Sequence, residues 1–120
     1  MQVPEIRLLA SSMGDQYVEF RTLCGSVVGT AHRQFGDRES HYDVAEAYLM
    51  EGPATHSISS AGTSPGSFNI VGKVIEHFED GVFVVESHGF TFWLDDDDAP
   101  TGAEVGAHLS FRIVNFTLYV

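Results

Sequence analysis

The chain has 120 residues, of which 43% are hydrophobic and 12% aromatic, and its 17 acidic side chains outnumber 6 basic ones to give a formal net charge of −11. This composition predicts one folded domain over residues 1–120 and excludes a disordered chain. The charge argues against nucleic acid and membrane surfaces as partners, since both are negative, and among partners it favours a basic protein or a cation. An acidic surface that serves solubility alone is the alternative, and it is the preferred explanation of the charge.

Two strands are predicted near the start of the chain, over Glu5–Ala10 and Tyr17–Leu23, with a turn at Met13–Asp15 between them. The second segment alternates apolar and polar residues, which is typical of a strand with one solvated face. The segment Gly25–Gly36 is compatible with a strand extension or with irregular structure, and Arg33–Glu39 is polar enough to be an exposed loop.

A further strand is predicted at His41–Met50. Alternation places Tyr42, Val44 and Tyr48 on one face together with Met50, although the alanine-rich middle of the segment also suits a helix. The period of two favours the strand.

The next segment, Glu51–Ser67, is rich in Gly, Pro, Ser and Thr and carries a single charge. It is unusually long for a connection inside a compact domain. We expect either a long flexible loop at about 51–67 or a weak strand around Thr55–Ser59 inside a longer connection.

The region from Phe68 to Val120 is predicted to form a three-strand meander followed by one long strand. Its predicted strands are Phe68–Phe78, Val82–Ser87, Phe90–Leu94 and Leu109–Val120. Hairpin turns are expected at Asp80-Gly81 and His88-Gly89, with both central residues of each turn at positive φ.

The apolar faces of these strands predict the core. Phe83, Phe92, Phe111 and Ile113 are expected to be buried together, and alternation places Phe78 on the inward face of its own strand. Two irregularities accompany this pattern. Asn115 interrupts the alternation as a β-bulge does, and Gly72 inside a strand indicates a bend or a close backbone approach.

Strands that bend at glycines and bulges curl small sheets into barrels. The fold class is therefore all-β (mainly β): a single small curled sheet or barrel of about six to eight mostly antiparallel strands. A glycine in a bent strand at Gly72, a tight hairpin and a Val105-Gly106 step into a long final strand resemble a small OB-like Greek-key barrel. Over Phe68–Val120 the chain is also similar to uncharacterised bacterial β-barrel proteins, some of which are immunity proteins beside toxin genes.

This resemblance implies a fold and a class of partner but no site residues. An OB-fold that binds nucleic acid presents basic residues around exposed aromatic side chains. The only basic residues after Phe68 are Lys73 and Arg112. Nucleic acid is therefore not expected as a partner.

No motif in the chain predicts a metal site, a cofactor or a catalytic centre. The six histidines form no H-x-H or H-x-x-x-H pair, although His77 and His88 could approach each other across a hairpin. Cys24 is the single cysteine, which excludes an internal disulfide and a cysteine metal cluster. The absence of G-x-S-x-G and of a phosphate-binding loop leaves an enzyme without support from the sequence.

Four adjacent carboxylates follow the third strand of the meander: Asp95, Asp96, Asp97 and Asp98. Such a run attracts hard cations such as Ca²⁺, but its spacing does not match an EF-hand loop. A solvated turn whose charges protect a sheet edge is the favoured interpretation.

Trp93 is the only tryptophan, and alternation points it away from the Phe92 face. If that face is open, Trp93 and Tyr119 form an exposed aromatic patch beside the four aspartates, which suits a protein contact. The alternative is that a helix or the 51–67 loop covers it.

Two functions are therefore carried forward. The first is a binding protein for a basic partner, such as an immunity protein that neutralises a toxin. The second is a small-ligand or metal-binding barrel, or an enzyme, with a pocket of histidines and aromatic residues.

The cytoplasm is the expected location. The longest apolar runs are about four residues, far short of a membrane span. The first residues also lack the basic start and apolar core of a secretory signal.

Overall fold

A computed structural model describes the backbone of residues 6–11, 16–22, 25–30, 32–34, 40–60 and 66–119, and the side chains of residues 41–60 and 66–117. This part of the chain contains ten strands and no helix. The strands are β1 (Ile6–Ser11), β2 (Gln16–Thr22), β3 (Gly25–Thr30), β4 (His32–Gln34), β5 (Ser40–Leu49), β6 (Ser57–Ser60), β7 (Phe68–His77), β8 (Val82–Ser87), β9 (Phe90–Asp95) and β10 (His108–Tyr119). The predicted mainly-β fold class is confirmed.

The strands form two sheets. In the smaller one, β1, β2 and β3 form an antiparallel meander. The larger sheet has seven strands and curls into a half-barrel. Within it, β7, β8 and β9 are joined by hairpins and β10 returns to pair with β7, giving the strand order 10-7-8-9 of a Greek key.

Three more strands extend the larger sheet. Strand β10 pairs with β7 along one side and with β5 along the other. Near its C-terminal end, β10 also pairs in parallel with β4. Strand β6 lies beside β7, on the side that β8 also occupies further along. Strand β10 is therefore the element that connects β4 and β5 to the Greek key.

The core fills the concave face of the curled sheet. Phe83, Phe92, Phe111 and Ile113 are all 6% exposed or less and belong to one apolar cluster, so the prediction that they are buried together is confirmed. The rings of Phe92 and Phe111 meet edge to face with centroids 5.8 Å apart. Phe68 and Phe116 make the same kind of contact at 5.9 Å.

The two predicted hairpin turns are both present, with different backbone geometry. At the β8–β9 turn, His88 and Gly89 have φ of 51° and 85°, as a two-residue turn requires. At the β7–β8 turn, Gly81 has φ of 95° and its N–H donates to the Phe78 carbonyl at 3.0 Å. Asp80 is not at positive φ, so that part of the prediction is wrong. A longer turn that ends on a left-handed glycine needs only one such residue.

Three β-bulges in the larger sheet change which of its residues face the core. The predicted bulge at Asn115 is confirmed, with φ of 55° and a shift in the β5–β10 register. A second bulge, at Glu46 in β5, leaves Tyr48 63% exposed instead of on the inward face with Val44. A third shifts the β7–β8 register between Val74 and Glu76.

The bulge in β7 reverses the predicted direction of its last residues. His77 now lies opposite Phe83, and their rings stack at 3.9 Å. Phe78, predicted to face inward, instead contacts the exposed Trp93. One inserted residue exchanges the two faces of a strand, so the alternation before Val74 does not continue beyond it.

Gly72 lies at a close approach between β7 and β8. A Cβ atom at this position would be 2.5 Å from the backbone oxygen of Glu86, which no side chain can occupy. The prediction that this glycine marks a close backbone approach is confirmed.

The remaining predictions have mixed outcomes. Strands β1 and β2 match the two expected at the start of the chain. The predicted loop at Arg33–Glu39 is wrong for its first two residues, which lie in β4, and residues 35–39 fall outside the described part. Of the two alternatives for 51–67, a short strand is present as β6, and residues 61–65 lie outside the described residues. The predicted turn at 13–15 also lies outside them, and a single domain stays a prediction.

Candidate partner-contact site

The outer face of β9 carries the candidate site. Along this strand Phe90, Phe92 and Leu94 point into the core, so the residues between them point outward. Trp93 is 57% exposed, although a tryptophan of this size is usually well covered. Of the two sequence alternatives, an open and a covered tryptophan, the described residues leave it open.

Tyr42 holds the backbone of β9 at this position. The Trp93 N–H donates to the Tyr42 hydroxyl at 2.7 Å, and the Tyr42 ring lies edge-on to Phe92 at 6.1 Å. Burial raises the pKa of the Tyr42 hydroxyl, and the hydrogen bond from Trp93 opposes that rise only in part. In the described part of the chain, strands β5 and β9 do not pair with each other, and we call the gap between them the seam of the half-barrel. The Tyr42 side chain of β5 therefore spans this seam to the edge strand β9.

Two open grooves flank the Trp93 ring. One, of about 370 Å³, is lined by His41, Tyr42, Thr91 and Trp93. The other, of about 490 Å³, is lined by Trp93 together with Phe78, Glu79 and Asp80. In this second groove the two aromatic rings lie 5.5 Å apart at 36° to each other. The second groove is therefore lined by two aromatic and two acidic residues, and we call it the aromatic–acidic groove.

The four adjacent aspartates begin at the end of β9. Asp95 is the last residue of the strand, and its carbonyl accepts hydrogen bonds from the N–H groups of Asp98 and Ala99 at 2.9 and 3.1 Å. All four aspartates are exposed. The predicted solvated turn therefore closes on itself by backbone hydrogen bonds.

Asp96 differs from the other three because it contacts a neighbouring turn. Its carboxylate lies 3.4 Å from Nε2 of His77 and covers Gly81, where any side chain would collide with it. It therefore helps to fix the β7–β8 turn, whereas Asp95, Asp97 and Asp98 contribute charge to the surface.

The acidic surface also includes Asp43 of β5, whose carboxylate repels that of Asp98. Partial burial raises the pKa of Asp98, and the nearby carboxylates of Asp95, Asp97 and Asp43 raise it further. Asp43 belongs to β5, where it accepts a hydrogen bond from the Asn115 amide at 3.3 Å. Negative charge is thus concentrated on both sides of the seam.

The charge of the chain is unevenly distributed along the sequence. Residues 41–120 hold 12 acidic and 2 basic side chains, a balance of −10, and residues 1–40 hold the other 5 acidic and 4 basic ones, a balance of −1. Of the two basic side chains, Arg112 pairs with Glu46 at 2.7 Å and Lys73 lies opposite Glu86 in the sheet register. Within residues 41–117, neither of these basic side chains is therefore paired with the acidic groups around Trp93.

The histidines are arranged differently from the prediction. His77 and His88 lie at opposite ends of β8 and do not meet. Instead the rings of His56 and His88 lie 6.5 Å apart, and those of His56 and His108 lie 5.5 Å apart. Among the described residues no group of three side chains is placed to hold a metal ion.

Not every residue of the predicted patch can be placed. The backbone of Tyr119 pairs with Gln34 of β4, but its side chain lies outside the described part of the chain, as does Cys24. Phe78 and Tyr42 were missed by the sequence reasoning. The carboxylates that follow Phe78 are the one local signal that would have indicated it.

Comparisons with protein-family models, with curated proteins and with solved structures found no match. Within the described residues there is also no helix with the length and hydrophobicity that a membrane crossing requires.

Proposed function

We propose that this chain is a binding protein whose acidic surface engages a basic protein partner through the corner that contains Trp93. The observation that carries the proposal is an exposed tryptophan in a region with 12 acidic and only 2 basic side chains. Neutralisation of a basic toxin by an immunity-type protein is one concrete form of this function. No catalytic step is part of the proposal.

Two physical effects divide the work at such a corner. The acidic surface attracts a basic partner over roughly 8–10 Å at physiological ionic strength and speeds encounter. Trp93 acts after docking, because burying a large aromatic side chain slows dissociation. We therefore expect the acidic residues to affect mainly the association rate and Trp93 to affect mainly the dissociation rate.

The charge contribution is tested with Asp97→Asn/Asp98→Asn, which leaves Asp96 and its turn contact intact. A pull-down from the native host at low salt supplies the partner, and association is then followed by surface plasmon resonance. We expect association to slow about threefold or more and its salt dependence to flatten. The matched control is Glu51→Gln/Glu104→Gln, which removes the same charge from exposed loop positions.

The aromatic contribution is tested with Trp93→Ala. We expect association to change little and dissociation to become about tenfold faster or more, as for an anchor near the centre of an interface. Recovery of no basic protein at low salt, or unchanged association of the aspartate variant relative to the parent, would leave the acidic surface as a solubility feature.

The second candidate is a small-ligand or metal-binding barrel, or an enzyme, with a pocket of histidines and aromatic residues. One observation bears on it: the His56 ring lies near those of His88 and His108, although the three are not placed to hold a metal ion together. Calorimetric titration with Zn²⁺ tests it, with the His56→Ala variant as control. Binding that this variant abolishes would favour the second candidate over the first.

Three finer assignments accompany the proposal. The Greek-key order of β7 to β10 supports the OB-like comparison. The net charge of −11 disfavours nucleic acid as a partner, because phosphate backbones would be repelled. We propose the cytoplasm as the location, which fractionation of the native host would test.

A further inference from the structure

We infer that the aromatic–acidic groove receives an arginine side chain of the basic partner, whose guanidinium stacks on Trp93 and pairs with the carboxylates beside it. The inference rests on the proposed function and goes one step further, since it assigns a side chain of the partner to a place on this protein. The four residues that line the aromatic–acidic groove come from the β7–β8 turn and from β9.

The two rings offer a stacking surface. The ring centroids of Phe78 and Trp93 lie 5.5 Å apart and the ring planes meet at 36°, so the two rings form two walls of a shallow groove. Trp93 as a whole residue is more than half exposed to solvent. A cation placed over a tryptophan face is attracted by the negative charge density of the ring, and guanidinium adds planar stacking to this attraction.

The two carboxylates supply the opposite charge. Glu79 and Asp80 are exposed, and within the described part of the chain neither has an ion-pair partner. The Asp80 carboxylate accepts one long hydrogen bond, from the Val82 N–H at 3.4 Å, which leaves most of its capacity open. A carboxylate beside an aromatic face matches the fork of N–H donors that arginine presents and lysine lacks.

The groove is held in place before a partner arrives. Hydrogen bonds from Phe78 to Val82 and from Gly81 to Phe78, at 2.8 and 3.0 Å, fix the turn that carries the carboxylates. The hydrogen bond to Tyr42 fixes the backbone of Trp93. Fixed walls reduce the ordering cost of binding, so a single guanidinium can be recognised on an exposed surface.

The test uses the fluorescence of Trp93, the single tryptophan of the chain, which lines this groove as well as the neighbouring one, and the variants below separate the two. The full chain is titrated at constant ionic strength with a seven-residue peptide that carries three arginines separated by glycines. Two matched peptides replace arginine with lysine or with citrulline, which has the shape of arginine without its charge. We expect a saturable change with the arginine peptide, and half-saturation at about fivefold higher concentration or more for the others.

Variants separate groove recognition from general attraction. Phe78→Leu keeps an apolar side chain but removes a ring, and Glu79→Gln/Asp80→Asn removes the two lining charges. Each is expected to raise half-saturation by the arginine peptide about threefold or more. The charge-matched control, Glu51→Gln/Glu104→Gln, is expected to raise it less because neither residue lines the groove.

The outcomes are distinguishable. Equal responses to arginine and lysine, or to arginine and citrulline, would overturn the arginine assignment. Equal behaviour of the groove variants and the charge-matched control would overturn the groove. Either result would leave the proposed function standing, provided that a basic protein is recovered whose association depends on Asp97 and Asp98. Recovery of no basic partner would instead remove the proposed function itself.

Discussion

On one face of β9, Phe90, Phe92 and Leu94 are almost inaccessible to water, whereas on the other face Thr91, Trp93 and Asp95 are exposed. The two sets alternate along six residues of one strand. The inner side chains fit between neighbours from β7, β8 and β10, and the outer ones meet grooves and other acidic groups. Stability and recognition are therefore separated by the direction of the side chain rather than by position in the chain.

The largest effect should come from truncating the inner face next to the site. Phe92→Ala is expected to cost about 3–5 kcal/mol in the free energy of unfolding, because it leaves a cavity against Phe111. Trp93→Ala, one residue along, is expected to cost about 1 kcal/mol or less. Urea unfolding followed by circular dichroism compares the two variants. Similar costs for both would contradict the division of β9 into two faces.

The next effect concerns the place where β7 and β8 touch. Gly72→Ala would put a Cβ atom 2.5 Å from the Glu86 backbone oxygen, so the strands must separate. We expect a loss of about 1–3 kcal/mol, measured by thermal or urea unfolding. Alanine normally stabilises a strand interior relative to glycine by about 0.5–1 kcal/mol. A stabilised variant would therefore show that the close approach is absent.

A smaller effect tests the side-chain bridge across the seam. Tyr42→Phe removes the acceptor of the Trp93 N–H and is expected to cost about 0.5–1.5 kcal/mol. Amide hydrogen exchange should accelerate at Trp93 and much less at Phe92. Unchanged protection of the Trp93 amide would mean that the bridge does not hold the edge strand.

The same bridge makes a pH prediction. Because folding raises the pKa of Tyr42, the unfolded chain loses this proton at lower pH than the folded one. The contribution of Tyr42 to the free energy of unfolding is therefore constant below the ordinary tyrosine pKa of about 10, and it is lost as pH rises above that value. Unfolding free energies measured between pH 8 and pH 11 should fall less steeply for Tyr42→Phe than for the parent.

The smallest effect belongs to the acidic turn. The pKa of Asp98 is raised, so its ionised form is disfavoured in the fold and the associated stability declines as pH rises through its titration. Asp98→Asn should consequently be neutral or slightly stabilising at pH 7, within about 0.5 kcal/mol. Thermal unfolding at pH 7 and pH 3 measures the difference, which should shrink at the lower pH. A clear loss of stability at pH 7 would indicate a structural role for this carboxylate.

Local signals predict the inner face better than the outer one. The period of two and the two turns depend on near neighbours, and they led correctly to the fold class, to the buried Phe83, Phe92 and Phe111, and to the bulge at Asn115. The bulge in β7 has no glycine or asparagine to mark it, so Phe78 was placed on the wrong face.

The site itself depends on contacts that no local pattern contains. Tyr42 meets Trp93 across 51 residues of sequence, and His56 approaches His88 and His108 only because separate loops end at the same place. The exposure of Trp93 likewise depends on what covers β9, which alternation leaves undetermined. Residue types can indicate candidates for such a site, but their combination is a property of the sheet topology.

Strand β10 has a further consequence, for the order of assembly. Among the described strands, β4 and β5 have β10 as their pairing partner, and β7 also uses it on one side. Until β10 docks, those strands have unpaired backbone edges that invite pairing with other chains. Joining such distant segments is slow, on the order of milliseconds to seconds for β-rich domains. We therefore expect this protein to be most exposed to aggregation in the interval before β10 docks.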